Sequence, residues 1–483
     1  MRVLLISVNK QKSYRPVLPV GMAIVAAQAR QAGHHVDCLD LCFETEDQLL
    51  IRQHVTATTP DVIGISVRNV DSQNFLEPTY YLPFVRQVVT WCRDLPHPVP
   101  IVLGGAGFSQ LPREIMAYTR ADYGIAGFGE RSFPHLLEQL AAGNSPVSIP
   151  GLLRWTGDGA LEEESIDVAV EYDDIAPVDR HDYDSRYFSY GFQTHGGDQH
   201  CVEPVQTKKG CVLDCIFCGN FRVEGRSITL KPVERVVDEI ERIAATGGSG
   251  FEFVDGVFNL PLPHALNVCR EMQRRKIDLP WSCQLNPGAV TEELGDLMAA
   301  TGCRHVEFGT DSGSDAILAT LRKNFRRRHI MDAHQLVAAR GLEIVHCVFV
   351  GAPGDTPETI DETLTLLEQL IPPEAQVGNQ GYISLGMRIC EGSELHRIAL
   401  TDGTLPKNAT LGIPRFYVAP GILENPELLD EIERRVTANA HWYLWWGLPR
   451  ISLKERVTQV KRLERKTEQL YRQALQDRNH DGH

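Results

Sequence analysis

Short, continuously apolar segments alternate with helical segments over the first 145 residues of this chain. Five of these segments are interpreted as strands: VLLISVN (3–9), HVDCLDL (35–41), DVIGISVRN (61–69), VPIVLGGAG (99–107) and ADYGIAGFGE (121–130). Strands without polar alternation are buried on both faces, and strands that alternate with helices form parallel sheets. The pattern therefore predicts an α/β fold, a doubly wound, Rossmann-like parallel sheet that binds a ligand beyond the carboxyl ends of its strands.

A second series of strand-helix units begins near residue 203 and continues to about residue 385. About six such units predict a partial (β/α)6 barrel of TIM type, with its functional groups at the carboxyl ends of the strands. Proline, glycine and acidic residues separate the two series, and the end of the chain has helical periodicity. The predicted organisation is a sheet domain (1–145), a connector with a hairpin (146–200), a barrel (201–395) and a small, mainly helical C-terminal domain (396–483).

Composition and charge limit the class of protein. The 483 residues carry a formal net charge of −15, which argues against a nucleic-acid partner because phosphate binding requires a basic surface. No apolar stretch approaches the roughly 20 residues that cross a bilayer, and the N-terminal apolar run is too short for a signal peptide. We therefore expect a cytoplasmic protein whose 12 cysteines are mostly reduced thiols.

One group of cysteines differs from the others in its spacing. Cys211, Cys215 and Cys218 follow the first predicted barrel strand in a Cys-x3-Cys-x2-Cys pattern. Three thiolates in one loop can ligate three corners of a cubane iron–sulfur cluster and leave the fourth iron open. The spacing therefore favours a [4Fe-4S] cluster at the active face of the barrel.

The residues near this loop leave other interpretations open. Lys208 and Lys209 precede the loop, and cations beside thiols favour the thiolate form that binds metal. A zinc site would need a fourth ligand, which Cys201 or His200 could supply, although the spacing differs from the usual paired knuckles. Disulfide bonds are disfavoured in a reducing compartment.

The loop is similar to the motif of the radical SAM enzymes, in which an aromatic residue, here Phe217, precedes the last cysteine. The resemblance implies that S-adenosylmethionine (SAM) chelates the open iron and is cleaved to a 5′-deoxyadenosyl radical. Four later segments, FEFVDGVFN, QLNPG, VEFGTDSGSDAIL and VFVGAPGDTPETIDETL, resemble the stretches that contact SAM in that family. The implied SAM-binding residues are Phe217, Asp255, Gln284, Asn286, Asp311, Ser312 and Gly351, with Asp311 where glutamate is usual.

The N-terminal sheet resembles the cobalamin-binding domain of cobalamin-dependent radical SAM proteins. The resemblance lies in RPVLPVGMAIVAAQARQAGHHVDCLDL, GISVRN, IVLGGAGFSQLPREI and YGIAGFGERSF. Glycine at the strand ends lets a flat macrocycle approach the backbone, although a nucleotide-binding or purely structural domain is the alternative. The implied cobalamin-binding residues are Leu18, Pro19, Ser66, Val67, Arg68, Asn69, Gly104, Gly105, Gly107, Gly127, Gly129 and Glu130.

One departure concerns the cobalt ligand. The loop after the first strand, SVNKQKSYRPVLPVG, lacks the histidine that ligates cobalt in methionine-synthase-like domains. The resemblance then implies a weakly ligated lower face, with Arg68 close to cobalt, where a guanidinium would disfavour a positively charged axial ligand. The alternative for Arg68 is an ion pair with Asp71 or Glu77.

Two later features have separate interpretations. Arg388, in LGMRICEGSEL, is a candidate contact for an anionic substrate. The aromatic run HWYLWWGLP (441–449) is interpreted as core of the C-terminal domain.

The resemblance extends from residue 1 to about residue 400 and implies a cobalamin-dependent radical SAM enzyme that methylates an unactivated carbon, or phosphorus, of a small-molecule substrate. Its implied cofactors are a [4Fe-4S] cluster, SAM and cobalamin, and its implied electron donor is a flavodoxin or ferredoxin. No protein residue is assigned as a catalytic acid or base. The alternatives are ring formation or rearrangement without net methylation, and a non-enzymatic cobalamin- or redox-binding protein.

Overall fold

A computed structural model of the protein describes residues 1–12, 16–166, 175–176, 178–189, 191–193, 199–444 and 451–476. Residues 445–449 of the aromatic run, and the side chains of His200 and Cys201, lie outside what is described. Among the helices that the structure describes, none has the length and hydropathy of a membrane-spanning segment.

Seven strands form the first sheet. They are β1 (Arg2–Ser7), β2 (His35–Asp40), β3 (Val62–Ser66), β4 (Ile101–Gly104), β5 (Tyr123–Ile125), β6 (Leu152–Trp155) and β7 (Leu161–Glu163). Their order across the sheet is β2-β1-β3-β4-β5-β6-β7, and the first five are parallel. The predicted doubly wound sheet is confirmed. The antiparallel β6–β7 hairpin, which comes from the predicted connector, extends this sheet beyond β5.

Helices cover both faces of the first sheet. They are α1 (Val20–Gln31), α2 (Asp47–Thr58), α3 (Leu82–Arg93), α4 (Ala106–Gln110), α5 (Pro112–Thr119) and α6 (Gly129–Ala141). Val3 and Leu5 of β1 pack in the cluster that contains α1 and α6, whereas Leu4 and Ile6 pack in the cluster that contains α2, α3 and α5. Both faces of β1 are therefore apolar because each meets a helical layer.

A second sheet of seven parallel strands follows, in the order β10-β13-β14-β15-β16-β17-β20. The strands of this part are β8 (Gly191–Gln193), β9 (Gln199–Cys201), β10 (Glu203–Val205), β11 (Lys208–Lys209), β12 (Thr229–Leu230), β13 (Phe251–Phe253), β14 (Trp281–Leu285), β15 (Cys303–Asp311), β16 (Glu343–Val350), β17 (Gln380–Leu385), β18 (Met387–Arg388), β19 (Phe416–Tyr417) and β20 (Trp442–Leu444). The first six strands of the sheet confirm the partial barrel. The seventh, β20, was not predicted, because its three residues begin the aromatic run and show no strand periodicity.

The remaining helices cover the outer face of this sheet and extend to the first sheet. They are α7 (Val233–Ala245), α8 (Leu262–Arg274), α9 (Glu292–Ala300), α10 (Asp315–Thr320), α11 (Arg327–Ala338), α12 (Pro357–Leu370), α13 (Glu394–Asp402), α14 (Pro426–Ala438) and α15 (Leu453–Gln476). Near the end of α15, Tyr471 stacks on Tyr118 of α5 with ring centroids 4.9 Å apart. The last helix thus joins the two halves of the molecule.

A buried ion pair also connects the halves. Arg388 Nε lies 2.7 Å from Asp71 Oδ2, and both side chains are at most 10% exposed. Arg388 also donates to the carbonyl oxygen of Leu411 at 3.3 Å. Arg388 therefore joins the two halves, in place of the substrate contact suggested by the sequence.

A buried chain of hydrogen bonds crosses the outer layer of the second sheet. His346 of β16 has no exposed surface, and its Nδ1 lies 2.7 Å from Thr310 Oγ1. Its Nε2 lies 2.9 Å from Nδ1 of His334 on α11. Burial lowers the pKa of His334 to about 4 and lowers the pKa of His346 well below its usual value. Both imidazoles are therefore neutral in the folded protein at neutral pH.

This pair makes stability depend on pH. Because the folded pKa values lie below the unfolded value of about 6.5, the stabilisation is complete above that pH and is lost as the pH falls towards 4. We expect His334→Gln, whose amide can still bond to His346, to reduce the loss of unfolding free energy between pH 7 and 5 by about 1–2 kcal/mol. Urea unfolding at the two pH values measures the difference. The exposed His97→Gln is the control, and an unchanged slope in His334→Gln would contradict the assignment.

Candidate cofactor sites

The cysteine loop leaves β11 through a turn that only glycine can make. Gly210 has φ +86°, and a Cβ at that position would lie 1.7 Å from the carbonyl oxygen of Ser227. Cys211, Cys215 and Cys218 follow this turn, and each is partly exposed. The three cysteines therefore lie in one loop beyond the end of β10.

A buried carboxylate holds the segment that leads into the loop. Asp255, which follows β13 and is 2% exposed, accepts hydrogen bonds from the Thr207 backbone N–H at 2.9 Å and from Thr207 Oγ1 at 2.5 Å. Lys208 Nζ lies 3.2 Å from the same carboxylate. Asp255, which the resemblance makes a SAM contact, thus has its oxygens directed to this backbone segment.

The cation beside the thiols is Lys323. Its Nζ donates to Cys215 Sγ at 3.6 Å and lies 2.5 Å from Asp311 Oδ2. Burial raises the pKa of the Cys215 thiol, and the neighbouring ammonium opposes this change. Asp311 is buried with φ +59°, so the backbone turns sharply there and directs the carboxylate to the lysine. Lys323 is a residue that the sequence reasoning missed.

The two lysines proposed to assist the thiols have other partners. Lys208 is paired with Asp255, and Lys209 is paired with Glu130 at the start of α6. Lys209 Nζ also lies over the ring of Phe128, 4.3 Å from the centroid. Both lysine side chains form buried ion pairs with carboxylates. Their position next to the cysteines in the sequence therefore did not predict which groups they contact.

The third cysteine of the loop is in a more apolar setting. Burial raises the pKa of Cys218 to about 11, although the Asn220 backbone N–H donates to its sulfur at 3.4 Å. A fourth thiol is close by, since a Cβ on Gly219 would lie 2.9 Å from Cys390 Sγ. Cys390 comes from the segment after β18 and had no sequence signal, because 172 residues separate it from Cys218 in the numbering.

The thiols are not arranged around a single ion. Within the described ranges, no three His, Cys, Asp or Glu side chains converge as a metal-ion site. Thiolates that hold a cubane each bind a different iron, whereas a zinc site needs four ligands around one ion. The chemistry and spacing of the three cysteines fit a cubane cluster, whereas the zinc alternative depends on the side chains of His200 or Cys201, which lie outside the described residues.

Two of the implied SAM-binding residues are Phe217, within the cysteine loop, and Gly351, directly after β16. The Phe217 ring meets that of Phe349 edge-to-face, with centroids 5.2 Å apart. Gly351 has φ +91° directly after β16, and a Cβ there would lie 2.7 Å from Val418 Cγ1. The glycine is thus required by the close approach of the chain around Val418.

Two others take part in internal hydrogen bonds at the strand ends. Asn286, 3% exposed, accepts from the Gly288 backbone N–H at 2.8 Å and donates to Asn324 Oδ1 at 2.8 Å. Ser312, 1% exposed, lies 3.0 Å from Thr363 Oγ1. These side chains shape the loops at the carboxyl edge of the sheet.

The inner face of the barrel carries polar side chains in the centre of the sheet. Gln284 is exposed on β14 and donates to Glu307 Oε1 at 3.1 Å. Partly exposed side chains alternate with buried ones along the neighbouring strands; these are Glu252, Glu307, Cys347, Phe349, Tyr382 and Ser384. Alternate residues of a strand point to opposite faces, so these side chains line the surface opposite the helices. Of these residues, the sequence analysis named only Gln284 as a site residue. The alternation of polar and apolar residues along β13–β17 could have identified the others.

A large cavity lies at the carboxyl ends of the first sheet and contains about 1710 Å³ of empty space, its open mouth included. Nine of the twelve implied cobalamin-binding residues line it: Leu18, Pro19, Ser66, Arg68, Gly104, Gly105, Gly127, Gly129 and Glu130. The cavity lies where an open α/β sheet binds its ligand. The structure thus brings most of the predicted set together.

Val67, Asn69 and Gly107 are not in the cavity wall. Val67 is fully buried, and its carbonyl oxygen accepts from the Gly107 backbone N–H at 2.9 Å. A Cβ on Gly107 would lie 2.9 Å from the Arg68 carbonyl oxygen, and one on Gly105 would lie 2.6 Å from that of Val67. These two glycines therefore allow the loops after β3 and β4 to pack together, which differs from the expected approach of a macrocycle.

Arg68 is in the cavity wall, and its Nη1 donates to Asn69 Oδ1 at 3.3 Å. The two carboxylates considered as partners contact other arginines. Asp71 is paired with Arg388, and Glu77 lies 3.6 Å from Arg456 on α15. The guanidinium is therefore positioned on the side of the cavity formed by the loop after β3.

The second half of the molecule supplies another part of the wall. Lys209, Gln206 and Glu224 line the cavity, and Lys209 is paired there with Glu130 of the first half. Gln206 Nε2 donates to Glu224 Oε1 at 3.2 Å, and burial raises the pKa of Glu224. Amides and buried charges around an apolar floor suit a macrocycle whose rim carries amide groups. The residues present fit a cobalamin.

Two family models match this chain in the same two regions. The B12 binding domain matches residues 6–137, and the radical SAM superfamily matches residues 205–367. The first region supplies most of the cavity wall, and the second contains the cysteine loop.

Relatives and a solved structure share both regions. The tryptophan 2-C-methyltransferase of Streptomyces laurentii is 27% identical over 79% of this chain and 72% of its own length. The cytidylyl-2-hydroxyethylphosphonate methyltransferase of Streptomyces wedmorensis is 26% identical over 86% of this chain and 84% of its own. The radical SAM methyltransferase TsrM from Kitasatospora setae, solved with cobalamin and a [4Fe-4S] cluster, has the same fold, with a TM-score of 0.78 and 22% identity over 93% of this chain and 91% of that one. The chain thus combines a B12 binding domain with a radical SAM domain, the combination found in the cobalamin-dependent radical SAM enzymes.

Proposed function

We propose that the protein is a methyltransferase that transfers a methyl group from SAM, by way of cobalamin, to carbon or phosphorus of a small molecule. The observation that supports this proposal is that the wall of the cavity continues, through Lys209, into the cysteine loop. Lys209 lines the cobalamin cavity, pairs with Glu130 of the first half, and lies two positions before Cys211. A substrate between the sites can therefore be close to both cofactors at once.

The cofactors supply the chemistry: when bound, the cluster and SAM provide the radical and cobalamin carries the methyl group. The chain supplies their positions. Cys211, Cys215 and Cys218 would hold the cluster, while Asp255 fixes the segment before them and Lys323 places a positive charge beside Cys215. No side chain is required as an acid or a base.

For SAM, the partly exposed Phe217 and Gln284 are the side chains with surface available for direct contact. Asp255, Asn286, Asp311 and Ser312 are buried, and we assign them the task of holding the strand-end loops around SAM. Gly351 is assigned to the part of the site that would hold the adenine of SAM, because it directly follows β16.

For cobalamin, Arg68 is the residue assigned nearest to cobalt. It lies in the cavity wall on the loop after β3. A guanidinium close to cobalt disfavours a second positive charge at the same face. Arg68 would in this way assist transfer of the methyl group that cobalamin carries when it is bound.

The substrate is assigned to the inner face of the barrel. Glu252, Gln284 and Glu307 present polar groups there, next to Phe349 and therefore next to Phe217 of the cysteine loop. The related enzymes are named for tryptophan and for a cytidylyl phosphonate, both small molecules. An external one-electron carrier, of flavodoxin or ferredoxin type, reduces the cofactors.

Isotope transfer tests the proposed reaction, and its first step, methylation of cobalamin, can be measured before the substrate is known. Anaerobically reconstituted protein, incubated under reduction with SAM that carries a deuterated methyl group, should give labelled methyl in the bound cobalamin fraction and, once the substrate is supplied, in the product. Mass spectrometry detects both. Formation of 5′-deoxyadenosine with no label in cobalamin or product would instead support rearrangement or ring formation.

A cysteine variant provides the matched control for this reaction. Cys215→Ala removes a cluster ligand, so we expect 5′-deoxyadenosine formation to fall at least about a hundredfold, in line with loss of a required metal ligand. Cys92→Ala, at a buried thiol of α3, should retain the wild-type rate. Full activity of Cys215→Ala would contradict the cluster assignment.

Cobalamin retention tests the cavity. A Cβ at Gly104 would have only the Ile125 carbonyl oxygen within 4 Å, at 3.7 Å, so leucine fits the backbone and its side chain occupies cavity space. We expect Gly104→Leu to bind cobalamin at least about tenfold more weakly, measured by visible absorption after gel filtration. Gly157→Leu, in the β6–β7 turn with no atom near its Cβ, is the control. Equal retention by both variants would show that the cavity is not the cobalamin site.

A further inference from the structure

Five exposed arginines form what we call the arginine surface; they are Arg226, Arg322, Arg326, Arg328 and Arg397. Arg226, Arg322 and Arg397 are joined to the cysteine loop through ion pairs, and Arg326 and Arg328 follow within five residues of Lys323, which contacts that loop. Three of the five come from LRKNFRRRH (321–329), which runs from the end of α10 into the first turn of α11 and holds five lysine or arginine residues in a chain with a net charge of −15. A basic surface on an acidic protein is a local feature that calls for a binding partner of opposite charge.

The arginine surface contacts the cysteine loop. Asp214, the residue before Cys215, lies 2.6 Å from Nη1 of Arg226 and 2.6 Å from Nη1 of Arg322. The next residue after Arg322 is Lys323, whose Nζ contacts Cys215 Sγ. A partner bound to these arginines would therefore contact the loop that carries the cluster ligands.

The surface keeps a positive excess after its internal ion pairs are counted. Asp214 is shared between two arginines, and Glu394 is shared between Arg322, at 3.3 Å, and Arg397, at 2.6 Å. The five arginines thus face two carboxylates. Among the residues that the structure describes, Arg326 and Arg328 make no ion pair, so they are the members with charge available to a partner.

An exposed apolar side chain lies in the same loop. Val212 is 60% exposed, directly after Cys211. A small apolar centre within a charged rim suits the transient complexes of electron-transfer proteins, which bury less area than stable assemblies. Charge complementarity in such complexes mainly increases the association rate.

We infer that the arginine surface is the docking site of the electron donor, and that this donor is a small acidic one-electron carrier of the flavodoxin or ferredoxin class. In the complex the reduced carrier loses one electron and the cluster gains it, with no bond formed or broken. The inference rests on the proposed function, because it assumes a reducible cluster at Cys211, Cys215 and Cys218. Beyond that function, the inference specifies where the electron donor binds and that its binding face is acidic.

Charge reversal tests the docking site. The variant Arg326→Glu/Arg328→Glu changes two exposed side chains outside the assigned cofactor residues. With reduced flavodoxin, we expect the second-order rate of cluster bleaching in stopped flow to fall at least about tenfold, and its decrease with added salt to become weaker. With titanium(III) citrate, a small reductant, the variant should be reduced at the wild-type rate.

A matched variant controls for the loss of positive charge alone. Arg270→Glu/Arg274→Glu lies on α8, whose last turn is at the opposite edge of the sheet from the strand carboxyl ends. It should react with flavodoxin as the wild type does. Equal rates for all three proteins with flavodoxin, or equal slowing in both variants, would overturn the inference.

Direct binding separates this inference from the proposed function. Calorimetric titration of flavodoxin into the protein requires no cluster reduction, and Arg326→Glu/Arg328→Glu should weaken the complex while Arg270→Glu/Arg274→Glu should not. If titanium(III) citrate fails to reduce a cluster in the wild type, the proposed function fails, and the titration still decides the docking site. If the first variant loses affinity for a DNA oligonucleotide and keeps its affinity for flavodoxin, the surface serves another polyanion and the inference is wrong.

Discussion

The carboxylate of Asp255 makes the contacts on which both candidate cofactor sites depend. It binds the backbone and side chain of Thr207 and the ammonium of Lys208, and so fixes the chain between β10 and the cysteine loop. Lys209, the next residue, is then directed to Glu130 in the wall of the cavity. Removal of one partner from a buried ion pair typically costs about 3–5 kcal/mol, so this short segment is held more firmly than the exposed loop that follows it.

The segment 207–209 can connect the two candidate sites only if the two halves of the molecule keep their relative positions. The Asp71–Arg388 pair, the Tyr118–Tyr471 stack and the packing of α15 on the first half secure them at sites away from the cavity. Reaction between groups carried by two cofactors is sensitive to errors of about 1 Å. The contacts between the halves therefore serve the reaction as much as they serve stability.

The sequence predicted those parts of the fold that depend on local patterns. Five strands of the first sheet, six of the second and the cysteine loop follow from apolar runs and from spacing, which neighbours in the chain determine. It did not predict the partners of Lys208, Lys209 and Arg388, since long charged side chains select buried carboxylates that are distant in sequence. It also missed Lys323 and Cys390 beside the cluster loop, and β20, because only the folded chain brings these segments to the second sheet.

Gly105 shows that a residue can be restricted to glycine for a reason that the sequence did not suggest. It was expected to admit a macrocycle, and it does line the cavity, while its missing Cβ faces the carbonyl oxygen of Val67. The loop after β4 can then lie against the loop after β3, which carries Arg68 in the cavity wall. A ligand that only needed space would tolerate a Cβ turned away from it, so the requirement for glycine at position 105 comes from the packing of these two loops.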